Sequence, residues 1–251
     1  MIIIKAGGSA ITDKSSEDTP RRDVMERIAD QLQEVGSVIL VHGGGSFGHF
    51  PAREYNLANG YRSPDQIKGF SKTKEKMEIL NNIFIDILNK KVNAVPIQSS
   101  ACIITKNKEI STFFSDPIKK AVDLGMIPVL YGDTVFDKKI GFCILSGDRI
   151  IYELSRVFSP EKVIFGTDVD GIYSKNPKEF PEAELIKELS LREFSAEIAD
   201  TNDVTGGMKG KLREIRRIVD QGIEVDIINI TEEGRITASL HNECIGTTVI
   251  P

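Results

Sequence analysis

Tryptophan is absent from the 251-residue chain, and histidine and cysteine occur only three times each. Cys102, Cys143 and Cys244 are widely spaced, odd in number and without CxxC spacing. That excludes a disulfide or zinc framework and predicts buried thiols in a reducing compartment. A basic excess is also missing: 32 Lys and Arg stand against 37 Asp and Glu, a formal net charge of -5. No general positive field exists to bind nucleic acid through its phosphates. A small phosphate ligand is not excluded, because a few local cations decide that. No apolar run reaches the roughly 18 to 20 residues that span a bilayer. Residues 1–5 lack the basic leader and long apolar core of a signal peptide and read as a strand. Cytoplasm, with no membrane or nucleic-acid partner, is the expected setting.

Hydrophobic residues at 40%, charged residues at 27%, 21 Gly and 10 Pro are ordinary for a globular protein. The length fits one large domain or two closely joined ones. Strand and helix patterns alternate, which predicts a mainly parallel α/β sheet. Residues 2–5 and 38–41 are apolar runs that end in glycines, and 23–35 has helical spacing with Gly36 as its stop. Residues 66–91 form a long amphipathic helix, followed by a strand at 95–97. Residues 101–113 and 134–145 read as hairpins, the first turning at Lys106-Asn107-Lys108. Helices are expected at 116–124 and 148–157, and strands at 127–130 and 162–166. Ser159-Pro160 places a soft boundary between a lobe of residues 1–158 and one of 159–251. Beyond it come a helix at about 207–221, a strand at 225–228, a helix near 232–240 and a strand at 247–250.

The chemistry gathers in glycine-rich segments that follow strands. In Lys5-Ala6-Gly7-Gly8-Ser9, glycines let backbone amides approach an anion while the lysine supplies charge. A tight turn with a surface lysine reads equally well, and neither Walker A nor GxGxxG spacing is present. His42-Gly43-Gly44-Gly45-Ser46-Phe47-Gly48-His49 costs too much chain entropy for a plain turn. It suits a loop that wraps a ligand, with His49 in reach to donate to a phosphate oxygen and His42 structural. In Leu145-Ser146-Gly147-Asp148, the aspartate either caps a helix or orients catalytic lysines. The carboxylates of 166–173 serve a ribose or metal, or simply turn the chain. Val204-Thr205-Gly206-Gly207-Met208-Lys209-Gly210-Lys211 opens a helix with lysines that oppose the helix dipole, which a bound anion explains better than a solvated turn does. Together these segments sit where open α/β sheets bind ligands.

In this order, KAGGS, HGGGSFGH, YGDTVFD, LSGDRI, GTDVDGIY and VTGGMKGK resemble the motifs of the amino-acid kinase superfamily. More narrowly, the chain is similar from residue 1 onward to the archaeal isopentenyl phosphate kinases. The segment ending in His49 is the most discriminating part. The resemblance implies an α/β fold, a three-layer αβα sandwich around a mainly parallel sheet, with the acceptor on 1–158 and the nucleotide on 159–251. It implies a cytoplasmic homodimer that phosphorylates a small phosphorylated isoprenoid with ATP and Mg²⁺. Matched by motif, Lys5 and Lys211 neutralise the ATP phosphates, Lys14 stabilises the transition state, and Asp148 orients the lysines. Gly44, His49 and Gly147 match acceptor-phosphate contacts. Gly8 and Gly45 match the transferring-phosphate region, Gly7 and Ser9 are also expected to bind the cofactor ATP, and Asp168, Tyr173 and Gly207 match the nucleotide pocket. No metal-ligating side chain is implied. Lys209 has no clear counterpart.

An acceptor phosphate is already a nucleophile, so alignment and charge neutralisation should suffice, with Mg²⁺ held chiefly by ATP oxygens. On the helix of 66–91, Ile67, Phe70, Met77, Leu80, Phe84 and Leu88 form a stripe expected to be mostly core, its part near Phe70 and Met77 lining a tail pocket. The rival readings are a kinase of the same fold for a phosphonate, carboxylate or nucleoside monophosphate, and a non-catalytic nucleotide sensor.

Overall fold

The structure, a computed structural model, describes residues 1–175, 180, 182–190, 193 and 206–251. The chain opens with β1 (Ile2–Ala6), the short helix α1 (Gly8–Ile11), α2 (Arg22–Leu32) and β2 (Val38–His42). Then come α3 (Gly45–Glu54), α4 (Asp65–Leu88), β3 (Ala94–Pro96), α5 (Ser99–Cys102) and the hairpin of β4 (Ile103–Lys106) and β5 (Glu109–Phe113). After α6 (Asp116–Asp123) follow β6 (Ile127–Tyr131), β7 (Asp133–Asp137), β8 (Gly141–Leu145) and α7 (Gly147–Phe158). The last part holds β9 (Lys162–Thr167), β10 (Ile172–Tyr173), β11 (Leu185–Ile186) and β12 (Glu188–Ser190). It ends with α8 (Gly206–Val219), β13 (Glu224–Asn229), α9 (Arg235–Leu240) and β14 (Gly246–Ile250).

Eight strands form one sheet in the order β12-β14-β13-β9-β1-β2-β6-β3. Neighbours are parallel except where β13 meets β14. β2, β6 and β9 are buried along their length and β1 from Ile3 onward, as strands covered on both faces must be. Alternation of side chains divides the core into two layers. Ile4 and Ala6 of β1 face Ile28 of α2 and Phe84 of α4, whereas Ile3 faces Ile151 of α7 and Ile215 of α8. Helices therefore cover both faces, and the αβα sandwich stands as expected. A second sheet, in the order β5-β4-β7-β8, extends from one side. Asn107 and Lys108, with φ of 53° and 68°, make the tight turn of its first hairpin, a turn whose twist suits paired strands.

Several expectations need correction. The helix read over 23–35 stops at Leu32, because Gln33, Glu34 and Val35 donate to carbonyls three residues back and tighten into a turn. Residues 45–49, read as loop, are the first turn of α3. Gly45 enters it with φ of 48°, where a Cβ would collide with Thr12 Oγ1. The Thr12 hydroxyl accepts from the Ser46 amide at 2.9 Å, supplying from another element a cap that Gly44 cannot give. Ile67 is 56% exposed although the rest of its stripe is buried. All three cysteines are free, but only Cys143 is buried, and Cys102 and Cys244 are half-buried.

Candidate active site

The carboxyl ends of β9, β1 and β2 lie side by side, so the glycines that follow them meet. A Cβ on Gly8 would lie 2.3 Å from the Gly45 amide nitrogen, so only glycine permits the two backbones to touch. The Gly7 amide donates to the Gly166 carbonyl at 2.9 Å, which joins the β1 turn to the end of β9. Gly44 lies against the Met77 sulfur of α4, and Gly147 against the His42 carbonyl and the Lys5 side chain. Four of the segments singled out in the sequence thus enclose one small volume.

Charge is concentrated there. Lys5 Nζ lies 2.6 Å from Asp148 Oδ1, and Lys211 Nζ lies 3.4 Å from the same oxygen. Both ammonium groups also stand over the Phe165 ring, at 5.9 and 5.5 Å. Ser146 is the N-cap of α7, its hydroxyl accepting from the Arg149 amide, which frees Asp148 to join the lysines. Of the two readings of Asp148, the geometry selects the one that orients cations. Burial alone would raise its pKa, but Lys5 and Lys211 hold the carboxyl below the usual range. Lys211 is pushed down to about 7 by burial and by Lys5, against the pull of Asp148. Two lysines sharing one carboxylate leave a positive charge that an anion would complete.

Lys14 sits on the loop after α1, its Nζ 3.3 Å from Asp168 Oδ2, while the Ser9 hydroxyl donates to Asp168 Oδ1 at 2.7 Å. Asp168, placed in the nucleotide pocket by resemblance, is thus engaged by the β1 side. Burial would raise its pKa, and Ser9 and Lys14 hold it down. The Tyr173 hydroxyl donates to Asp170 Oδ2 at 3.2 Å, and Asp170 Oδ1 accepts from Asn229 and Arg235. Gly207 falls in the first turn of α8 and Lys211 in its second. Val204 and Thr205 of the same motif lie outside the described residues.

The two histidines near the glycines differ. His42 is fully buried between Asn81 and the Gly43 carbonyl, stacks on Tyr131 at 5.3 Å, and is pushed down to about 4 by that burial. His49 is exposed on α3, its imidazole lowered by partial burial and then by the charges of Arg53, Lys14 and Lys5. Arg53 follows one turn later on the same face of α3. Beyond Met77, the apolar side of α4 leads to a cavity of about 320 Å³ lined by Tyr61, Ile67, Phe70, Phe136, Gly141 and Phe142. A polar cleft of about 450 Å³ between α2 and α9 is lined by none of these site residues. Among the described residues, no group of three His, Cys, Asp or Glu side chains converges to hold a metal, so Mg²⁺ would need oxygens from a ligand.

Sequence reasoning missed Arg53, Asp18 and Lys76. Only helical phase could have found Arg53, four residues after His49. Asp18 and Lys76 pair across 58 residues of chain, and no local signal announces that.

The amino acid kinase family profile matches residues 1–229. The isopentenyl phosphate kinase of Methanothermobacter thermautotrophicus is 39% identical over 262 residues, covering 100% of this chain and 98% of that protein. That of Thermoplasma acidophilum is 33% identical over 254 residues, covering 99% of this chain and 100% of that protein. Among solved structures, an isopentenyl phosphate kinase superposes with a TM-score of 0.87 at 36% identity, over 99% of both chains. An isopentenyl phosphate kinase substrate complex gives 0.85 at 30% identity, over 99% of this chain and 100% of that one.

Proposed function

The chain belongs to the amino acid kinase family, and on that premise we propose that it transfers the γ-phosphoryl group of ATP to isopentenyl phosphate. A phosphate oxygen of the acceptor attacks the γ-phosphorus in line, the bond to the β–γ bridging oxygen breaks, and isopentenyl diphosphate and ADP leave. The dianionic acceptor phosphate has no proton to lose, so no general base is needed. The observation that carries this reading is the buried Lys5–Asp148–Lys211 group, set where glycine turns meet and close enough to His49 for the Lys5 charge to act on it.

Lys5 and Lys211 neutralise the ATP phosphates, held in place by Asp148. Lys14 meets charge on the transferring group, around which Gly7, Gly8, Ser9 and Gly45 close. Gly44, Gly147 and His49 receive the acceptor phosphate, His49 offsetting repulsion between two anions. Asp168, Tyr173 and Gly207 border the nucleotide. The acceptor belongs to residues 1–158, and its tail runs past Met77 toward the cavity at Phe70. The nucleotide belongs to residues 159–251. Bound through ATP oxygens, Mg²⁺ would add charge neutralisation to that of Lys5 and Lys211. The chain works as a cytoplasmic homodimer.

ADP release with a panel of acceptors tests the assignment. Isopentenyl phosphate should give the highest kcat/KM against a phosphonate, a carboxylate and a nucleoside monophosphate. A higher value for any of those would overturn it.

A further inference from the structure

The loop that carries Lys14 is built as a bridge. Thr12 pairs with Pro20 at its base. The Asp13 amide donates to Thr19 and the Arg21 amide to Ile11, so residues 13–19 stand out as a tip. One side of the tip reaches the end of β9 through Lys14 and Asp168, 3.3 Å apart. The other side reaches α4, where Lys76 forms an ion pair with Asp18 Oδ2. Lys76 directly precedes Met77, the residue against which Gly44 and Gly48 pack. The tip therefore touches the strand at the nucleotide side and the helix at the acceptor side at once.

We propose that Asp18 and Lys76 form a latch tying the Lys14 loop to α4, which makes Lys76 a positioning residue for Lys14. The pair differs from an ordinary surface ion pair, which is worth little. Its side chains are only 22% and 34% exposed. Asp18 Oδ1 is enclosed with no hydrogen-bond partner, so without Lys76 the carboxylate would be left shielded and unpaired, and the loop would move to rehydrate it. Asp18 also holds a φ of 53°, a left-handed backbone that aspartate adopts more readily than most residues and that turns the tip toward α4. Lys14 itself is 66% exposed, so its placement depends on the loop that bears it. Because α4 also borders the acceptor site, the latch lets acceptor binding settle Lys14.

The inference rests on the role given to Lys14 under the proposed function, and the test separates the two. Lys76→Met removes the charge and keeps the stem. With ATP and isopentenyl phosphate it should lower kcat about tenfold, within the roughly hundredfold that a 1 Å misplacement can cost. The KM for ATP and the melting temperature should stay unchanged. Lys76→Arg should restore most of the rate. Asp18→Asn should match Lys76→Met, with the double variant no worse than either single one. In a Lys14→Ala background, Lys76→Met should cost nothing more. An unchanged kcat in both single variants, or the same tenfold loss without Lys14, overturns the latch. Should the wild type prefer another acceptor, the proposed function fails instead, and the same variants are read with that acceptor.

Discussion

At the scale of single residues, His49 and Lys211 carry the sharpest consequences. Burial, and then the charges of Arg53, Lys14 and Lys5, lower the pKa of His49. It is therefore mostly neutral at neutral pH, and under the proposed function it would meet the acceptor phosphate as a hydrogen-bond donor. His49→Ala should raise the KM for isopentenyl phosphate by about one to two decades, the worth of a charged hydrogen bond of roughly 1.5 to 3 kcal/mol. The KM for ATP should move little, and His49→Gln should lose less. Steady-state kinetics with both substrates varied decide it, and a defect confined to ATP would sink the assignment.

Lys211 makes a prediction about protons. In the free protein burial and Lys5 push its pKa down to about 7. A polyphosphate bound beside it would favour its charged form and raise that value, so ATP binding above pH 7 should take up a proton. Below pH 7 the lysine is already charged and uptake should fade. Calorimetry at pH 8 and pH 6, each in buffers of different ionisation heat, measures the difference. Equal uptake at both pH values would remove Lys211 from the phosphate site.

At the scale of elements, the turns beside the apolar cavity hang on one carboxylate. Asp137 ends β7 and accepts from the amides of Asn107, Lys108, Lys139 and Ile140 and from the Thr105 hydroxyl. Burial would raise its pKa, but the amides hold it far below the usual range. A depressed carboxylate contributes stability above its unfolded pKa of about 3.9, and that stability is lost as pH falls further. Asp137→Asn should thus cost about 2 kcal/mol at pH 7, a gap that narrows by pH 3. Urea unfolding at the two pH values tests this, and an equal gap at both would deny the charge its role. Element boundaries teach a related lesson. His49 was legible as a donor near the glycines, but not as a helical residue. The cap that starts α3 comes from Thr12, 34 residues earlier. Ile67 followed the periodicity of α4 yet lines an open cavity shared with Phe136 of β7 and Phe142 of β8.

Across the whole molecule, the sheet runs from strands of residues 1–158 into strands of 159–251 at the single pairing of β1 with β9. The glycine turns that enclose the charged group flank that seam. The strand and helix alternation, the glycines after strands, and the residue types able to handle phosphate could all be read from the chain alone. These are local properties, written in period and spacing, and each segment carries its own. Which residues meet is a matter of packing. Asp148 could have been a cap until Ser146 took that place and Lys5 and Lys211 converged on one oxygen. Lys76 and Asp18 were unremarkable surface charges until α4 and the Lys14 loop came together. An ion pair needs its two charges within a few ångströms, and that proximity arises only when packing fixes the distance between elements far apart in the chain.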